Sequence, residues 1–196
     1  RNLVHTPKRI SDRLQGKGKV DLICSHLGLI NVDLELATKL GGASLAQAKK
    51  NFISIHRRLA EGLQEFADDG YDIVLIDCPP NFNIVTKTAI VASSFLLVPA
   101  RPDYLSTLGI DYLIRSVNQL ISEYNEFASL QQGAEIENIE PMVIGIVFMM
   151  IQEWGGDAIK AQRTFIEQQK RLGKLHVFDH YIKRNDSLFA DAPQYG

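Results

Sequence analysis

The sequence lacks the features that mark several large classes of protein. Its only two cysteines, Cys24 and Cys78, stand far apart in 196 residues. This spacing excludes a C-x-x-C motif or a disulfide framework and favours reduced, packed thiols. No apolar run approaches the roughly 20 residues needed to cross a bilayer, and no charged-then-apolar signal segment opens the chain. We therefore expect a cytoplasmic protein with no membrane partner.

A strong charge of one sign is also missing. The chain has 21 basic and 23 acidic residues, a formal net charge of -2. Any nucleic-acid binding must therefore come from a local patch or an assembled oligomer. There is no internal repeat or low-complexity tract, and 45% of the residues are hydrophobic. Length and composition together predict a single compact domain over residues 1–196.

Four continuous apolar runs predict strands, at residues 20–24, 73–76, 95–98 and 143–149. Continuous runs, unlike alternating ones, are typical of strands covered on both faces. Apolar residues three and four apart predict helices between them: one with Ser44 as N-cap and a stop at Gly70, then others over 107–130 and 157–172. Strands separated by helices indicate an α/β fold, a doubly wound, mostly parallel sheet flanked by helices.

Ligands of such sheets bind at the carboxyl ends of the strands, so the residues after each run are candidate site residues. Asp77 ends the run at 73–76, and Pro79 and Pro80 follow it. Because proline fixes φ and lacks an N–H donor, the pair holds the loop extended next to the carboxylate. The carboxylate suits a hydrated Mg²⁺. The alternative is that Asp77 caps the helix starting near Ile84.

The last apolar run ends in methionines at the same predicted edge of the sheet. Met149 and Met150 follow Phe148, and Pro99 ends the run before it. Soft methionine and rigid proline side chains there can pack against a flat purine ring, but they also serve as ordinary packing at a sheet end. The residues alone leave both interpretations open.

These motifs, in order along the chain, resemble the ParA/Soj family of chromosome and plasmid partitioning ATPases, which carry a deviant form of the P-loop. Residues 71–80 resemble the family's second Walker motif, YD-x-x-x-x-D-C-P-P. Weaker similarities cover residues 21–25, 98–109, 145–150 and 177–196. The sequence departs from the family pattern at Met149, Lys183 and Asp191, where threonine, proline and glutamate are usual.

The resemblance implies an ATPase that uses ATP and Mg²⁺ and forms a homodimer over the nucleotide. It implies nonspecific DNA binding by that dimer and a ParB-like partner protein that stimulates hydrolysis. Asp77 would hold the magnesium through water and serve as the catalytic carboxylate. Pro79 and Pro80 would shape the nucleotide-sensing loop, and Met150 would border adenine.

The family's phosphate-binding loop, K-G-G-V-G-K-[ST], does not occur in these 196 residues. In the family it would precede Arg1, and a further segment would follow Gly196. We therefore expect an ATPase domain truncated at the N-terminus, and also at the C-terminus, that is inactive alone. Two alternatives stay open: a MinD-like or other cargo-positioning ATPase, and a scaffold without catalytic activity.

Overall fold

The computed structural model describes residues 3–25, 30–131 and 136–189. The helices of these residues are α1 (Lys8–Leu14), α2 (Ile30–Leu40), α3 (Leu45–His56), α4 (Arg58–Gln64), α5 (Ile84–Val91), α6 (Tyr104–Ser129), α7 (Lys160–Leu172) and α8 (Asp186–Phe189), with a 3₁₀ turn at Ala67–Asp69. The strands are β1 (Val4–His5), β2 (Leu22–Ile23), β3 (Phe95–Ala100), β4 (Met142–Phe148), β5 (Glu153–Trp154) and β6 (Asp157–Ala158).

The parallel pair β3–β4 forms the centre of the described structure. Phe95 pairs with Met142 and Ala100 with Phe148, with one irregularity in register between Leu96 and Leu97. A third segment, residues 176–183, pairs with β4 and the residues after it through two single parallel bridges, Ile146 to Val177 and Ile151 to Lys183. The other two ribbons, β1–β2 and β5–β6, are antiparallel. The central pairing agrees with a parallel α/β sheet, although the sheets are small.

Two apolar clusters hold the helices to the sheet. One joins β3 and β4 to α6 and the segment around Val177, with Ile146, Phe148 and Ile151 at its centre. The other joins α3, α5 and α6 around Ile53, Ile90, Val117, Leu120 and Tyr124. Helix α6 contributes to both clusters, so it fixes the helical layer against the sheet.

The opposite face of β3–β4 is open among the described residues. Phe95 and Leu97 on β3, and Met142 and Ile144 on β4, are all exposed, while their alternate neighbours pack inward. The prediction of strands covered on both faces is therefore wrong for this pair. A continuous apolar run shows that the side chains are hydrophobic, but it does not show that another layer of the fold covers both faces of the strand.

Two predicted strands differ from the structure. The run at 20–24 forms only the two-residue β2, antiparallel to β1. Residues 73–76 form no strand. Their backbone pairs with no other described segment, and a strand requires such a partner. The two cysteines are also exposed rather than packed.

The predicted helices are largely confirmed. Ser44 caps α3 by accepting a hydrogen bond from the backbone N–H of Gln47 at 3.2 Å. The helical stretch from Ser44 to Gly70 is broken at Arg57 into α3 and α4. The helix predicted over 157–172 begins only at Lys160, because β6 occupies Asp157–Ala158. No helix of the described residues is both long and apolar enough to cross a membrane.

Candidate functional site

The segment that carries Asp77 is anchored at its start by a polar cluster around Asp21. The Tyr71 hydroxyl donates a short hydrogen bond to the Asp21 carboxylate, and Thr6 donates a second. The Lys19 ammonium lies 2.6 Å from the same carboxylate. The hydrogen bonds from Lys19, Thr6 and Tyr71 lower the pKa of Asp21 to about 2. The carboxylate is therefore ionised at neutral pH and holds Tyr71 beside β2.

Asp77 lies at the far end of this segment, with its side chain exposed. No hydrogen bond or ion pair joins its carboxylate to any other residue that the structure describes. An unpaired carboxylate keeps its acceptor oxygens available for a cation or its bound waters. This donor fits a hydrated Mg²⁺. The described residues contain no cluster of three or more His, Cys, Asp or Glu side chains that could hold a metal alone.

The alternative role of Asp77 as a helix cap is wrong, because other residues cap α5. The side chain of Asn83 accepts a hydrogen bond from the backbone N–H of Thr86 at 3.0 Å. Asp33, on α2, accepts from the N–H groups of Ile84 at 3.0 Å and Val85 at 3.4 Å. Together they satisfy donors of the first turn of α5. Asp33 therefore ties α2 to the end of the Asp77 loop, a contact that sequence analysis missed.

Pro79 and Pro80 lie in the exposed loop between Asp77 and α5. The N–H of Asn81 donates to the Pro79 carbonyl at 2.8 Å, which closes a tight turn directly after the carboxylate. Desolvation of the sulfur and the nearby Asp77 charge raise the pKa of the Cys78 thiol. The thiol therefore remains protonated, which makes it a poor nucleophile or metal ligand at neutral pH.

Met150 follows β4 and has an unusual backbone. Its φ is 60°, in the left-handed region that residues other than glycine rarely adopt. The N–H of Met149 donates to the Ala100 carbonyl at 2.9 Å, and the Gln162 side chain donates to the Met150 carbonyl at 3.4 Å. These contacts hold the strained turn at the carboxyl ends of β3 and β4.

A cleft of about 560 Å³ opens directly after this turn and is lined by Ile151, Gln152, Glu153, Lys183, Arg184 and Asp186. The Glu153 carboxylate accepts from Tyr181 at 2.8 Å and lies 2.6 Å from the Lys183 ammonium. The hydrogen bond from Lys183 lowers the pKa of Glu153 most, and the hydrogen bond from Tyr181 also lowers it. Lys183 thus takes part in an ion pair at the cleft, in the position where the family usually has proline.

The predicted site residues form two groups. Asp77, Pro79 and Pro80 lie in one loop, whereas Met150 lies in the turn after β4, next to the cleft. No hydrogen bond or ion pair joins the two groups within the described residues. Asp191 and the other residues of 190–196 lie outside the described residues. The acidic and basic residues of the cleft were missed as site residues, although the departure at Lys183 was a signal in the sequence.

A family profile described as "AAA domain" matches residues 3–130, so the chain belongs to that family. The sporulation initiation inhibitor protein Soj of Bacillus subtilis is 28% identical over 167 residues, which is 85% of this chain and 58% of that protein. The chromosome-partitioning ATPase Soj of Treponema pallidum is 25% identical over 190 residues, 95% of this chain and 66% of the relative.

Within that class the chain is a distant member of the ParA/Soj family of partitioning ATPases, which confirms the resemblance inferred from its motifs. The chain spans less than two thirds of the length of these relatives: 58% of the Bacillus protein and 66% of the Treponema protein.

Solved structures agree on the fold. A complex of a McdA variant with ATP, from Cyanothece, matches with a TM-score of 0.63 and 18% identity, over 89% of this chain and 56% of that one. Cobyrinic acid a,c-diamide synthase from Mycobacterium smegmatis, with a bound ATP analogue and magnesium, matches with a TM-score of 0.60 and 16% identity, over 86% of this chain and 55% of that one. The chain thus has an α/β fold of the P-loop NTPase type.

Proposed function

We propose that this chain is the central and late part of a ParA/Soj-type ATPase that partitions chromosome or plasmid DNA. The observation that carries the proposal is the exposed carboxylate of Asp77, which has no partner among the described residues and lies in the Walker-type loop of a family member. A bound magnesium would neutralise phosphate charge during hydrolysis. Asp77 would hold that ion through its water shell, and the turn at Pro79 and Pro80 would keep the carboxylate at the nucleotide.

The strained turn at Met150 suits the border of an adenine ring, because a soft apolar side chain packs well against a flat base. The adjoining cleft supplies polar groups beside it. The complete protein would act in the cytoplasm as a homodimer that binds DNA nonspecifically, with a ParB-like partner stimulating turnover. This chain alone, without a phosphate-binding loop in its sequence, would be inactive.

The test is ATP turnover by the polypeptide extended at its N-terminus through the proposed phosphate loop, with and without DNA. We expect magnesium-dependent turnover that Asp77→Asn lowers on the order of 100-fold. Asp72→Asn is the matched control, since Asp72 is an exposed carboxylate at the other end of the same segment, and it should retain activity. This chain without the extension should show no turnover.

Three results would change the proposal. An extended protein that neither hydrolyses nor binds ATP would leave the scaffold interpretation. Turnover stimulated by lipid vesicles and unaffected by DNA would instead favour a MinD-like or other cargo-positioning ATPase. Equal losses in Asp77→Asn and Asp72→Asn would remove the specific role assigned to Asp77.

A further inference from the structure

The hairpin β5–β6 is an exposed feature with two distinct faces. Glu153 pairs with Ala158 and Trp154 pairs with Asp157, so the loop contains only Gly155 and Gly156. Both glycines have positive φ, 64° and 91°, as a tight two-residue hairpin turn requires. Since alternate residues of a strand point to opposite faces, one cross-strand pair faces the protein and the other faces away.

The inner face fastens the hairpin to the protein. Ala158 is buried in the apolar cluster around Ile146 and Phe148, and Glu153 is held by Tyr181 and Lys183. At the base of the hairpin, the Ile159 N–H donates to the Gln152 carbonyl at 2.9 Å, and the Arg163 guanidinium donates to the Ala158 carbonyl at 3.1 Å. The orientation of the outer face is therefore fixed before any partner binds.

The outer face presents an aromatic ring and a carboxylate side by side. Trp154 is 86% exposed and is the only tryptophan in the chain. Its cross-strand neighbour Asp157 is exposed, and its carboxylate forms no hydrogen bond or ion pair with any residue in the described ranges. Two cations that contact the hairpin have other partners: Lys183 binds Glu153, and Arg163 binds a backbone carbonyl.

We propose that Trp154 and Asp157 form a docking site for an arginine or lysine side chain of a basic segment of a partner protein. A cation placed over the indole face is attracted by a cation–π interaction. The same cation can form an ion pair with the neighbouring carboxylate. A phosphate-bearing ligand would be repelled by Asp157, so charge favours a basic peptide over nucleic acid. This site shares no residue with the Asp77 loop.

The experiment measures binding of a labelled, flexible Gly-Ser peptide containing three arginines to the full chain by fluorescence anisotropy at low ionic strength. The same peptide with citrulline in place of arginine keeps the shape and removes the charge. Intrinsic fluorescence of Trp154 reports contact at the hairpin itself, because no other tryptophan contributes. Asp157→Asn and Trp154→Leu test the two halves of the site, and far-UV circular dichroism confirms that each variant folds.

We expect saturable binding of the arginine peptide, a change in Trp154 emission, and little binding of the citrulline peptide. Asp157→Asn and Trp154→Leu should each raise the Kd about 3- to 5-fold, as a loss of up to about 1 kcal/mol implies. Asp68→Asn is the matched control, since Asp68 is an exposed acid on the 3₁₀ turn Ala67–Asp69, outside the hairpin. It should leave the Kd unchanged.

Three results would overturn the proposal. The first is an arginine peptide that does not bind or does not change Trp154 emission. The second is an Asp68→Asn effect equal to that of Asp157→Asn, which would indicate general charge attraction. The third is tighter binding of a single-stranded oligonucleotide than of the arginine peptide, with loss in Trp154→Leu, which would assign the hairpin to nucleic acid.

Discussion

At the scale of single residues, the environment of His56 links protonation to folding. The side chain is 1% exposed at the end of α3, with its ring centroid 4.1 Å from that of Phe52. Nδ1 lies 2.8 Å from the Phe52 carbonyl, so it donates the ring proton there. Nε2 is buried without a partner among the described residues. A proton on Nε2 would therefore be a buried, unpaired donor on a charged ring.

Burial lowers the pKa of His56 below its usual 6.5, and the nearby charge of Lys87 also lowers it, against the opposing effects of the Phe52 carbonyl and Glu123. The unfolded chain therefore binds a proton more readily than the folded chain. The free energy of unfolding should be fully retained above about pH 6.5 and should fall as the pH decreases toward the lower folded pKa.

This prediction is checked by urea denaturation of the wild type and His56→Phe between pH 7.5 and 5. Phenylalanine cannot titrate, so the variant should lose less stability over this range. His180→Gln is the control, since His180 is exposed, and its profile should follow the wild type. Parallel profiles for the wild type and His56→Phe would show that His56 does not cause the pH dependence.

At the scale of elements, Gly145 allows β4 to approach the third segment of the sheet. Its φ of 147° lies outside the range that other residues favour, and a Cβ there would lie 2.6 Å from the His176 carbonyl oxygen. That carbonyl accepts the Ile146 N–H at 2.8 Å, so it cannot move away without breaking a sheet hydrogen bond. A side chain at Gly145 would therefore separate β4 from residues 176–178.

Gly145→Ala should lower the free energy of unfolding by about 2 kcal/mol or more, because the clash is with backbone. Gly109→Ala is the matched control in α6, where a Cβ meets no atom within 4 Å. Alanine there should raise stability by about 0.5–1 kcal/mol, as expected within a helix. Equal effects of the two substitutions in chemical denaturation would contradict the role assigned to Gly145.

Elements governed by local sequence could be predicted, and those that depend on distant partners could not. The apolar periodicity predicts a helix over 107–130, and α6 occupies Tyr104–Ser129. Ser44 caps α3 because the cap bond is formed within four residues. Residues 73–76 have the same apolar character as β3, yet β3 forms a strand because β4 pairs with it. The hairpin was missed even though Gly155 and Gly156 are a turn signal.

The same limit applies to the candidate site. The Asp77 loop could be located from its motif, because carboxylate and prolines are consecutive in sequence. The capping contact of Asp33 with Ile84 joins residues 51 positions apart, and the Glu153–Lys183 ion pair joins two separate segments. No periodicity or motif within either segment specifies such a pairing. These contacts were therefore visible only in the folded chain.

At the scale of the whole molecule, residues 73–76 are an apolar segment whose side chains are largely exposed. Ile73 is 76% exposed and Leu75 is 90% exposed. Their N–H and C=O groups pair with no described strand. A segment with exposed apolar side chains and no strand partner among the described residues is a template for pairing with another chain. We therefore predict that the 196-residue chain self-associates through this segment without nucleotide.

Asp72 and Asp77, which flank this segment, should make the self-association depend on salt concentration. Antiparallel pairing of two copies would place Asp72 of one chain near Asp77 of the other, and these like charges repel. Because salt screens repulsion between exposed charges, association should increase from low to moderate ionic strength. The nucleotide-dependent dimer proposed for the complete protein does not require this pairing of residues 73–76. The response to salt can therefore distinguish the two kinds of association.

Sedimentation velocity over a range of protein and salt concentrations tests the prediction. The wild-type chain should show a mass that rises with concentration, and Leu75→Lys should remain largely monomeric because a charge in the paired segment opposes burial. Leu108→Lys is the control, since Leu108 is an exposed leucine on α6, and it should associate like the wild type. A wild-type chain that stays monomeric at all concentrations, or equal loss of association in both variants, would show that residues 73–76 are not the contact. Association that is lost only in Leu75→Lys would identify residues 73–76 as a segment that pairs with another copy of the chain.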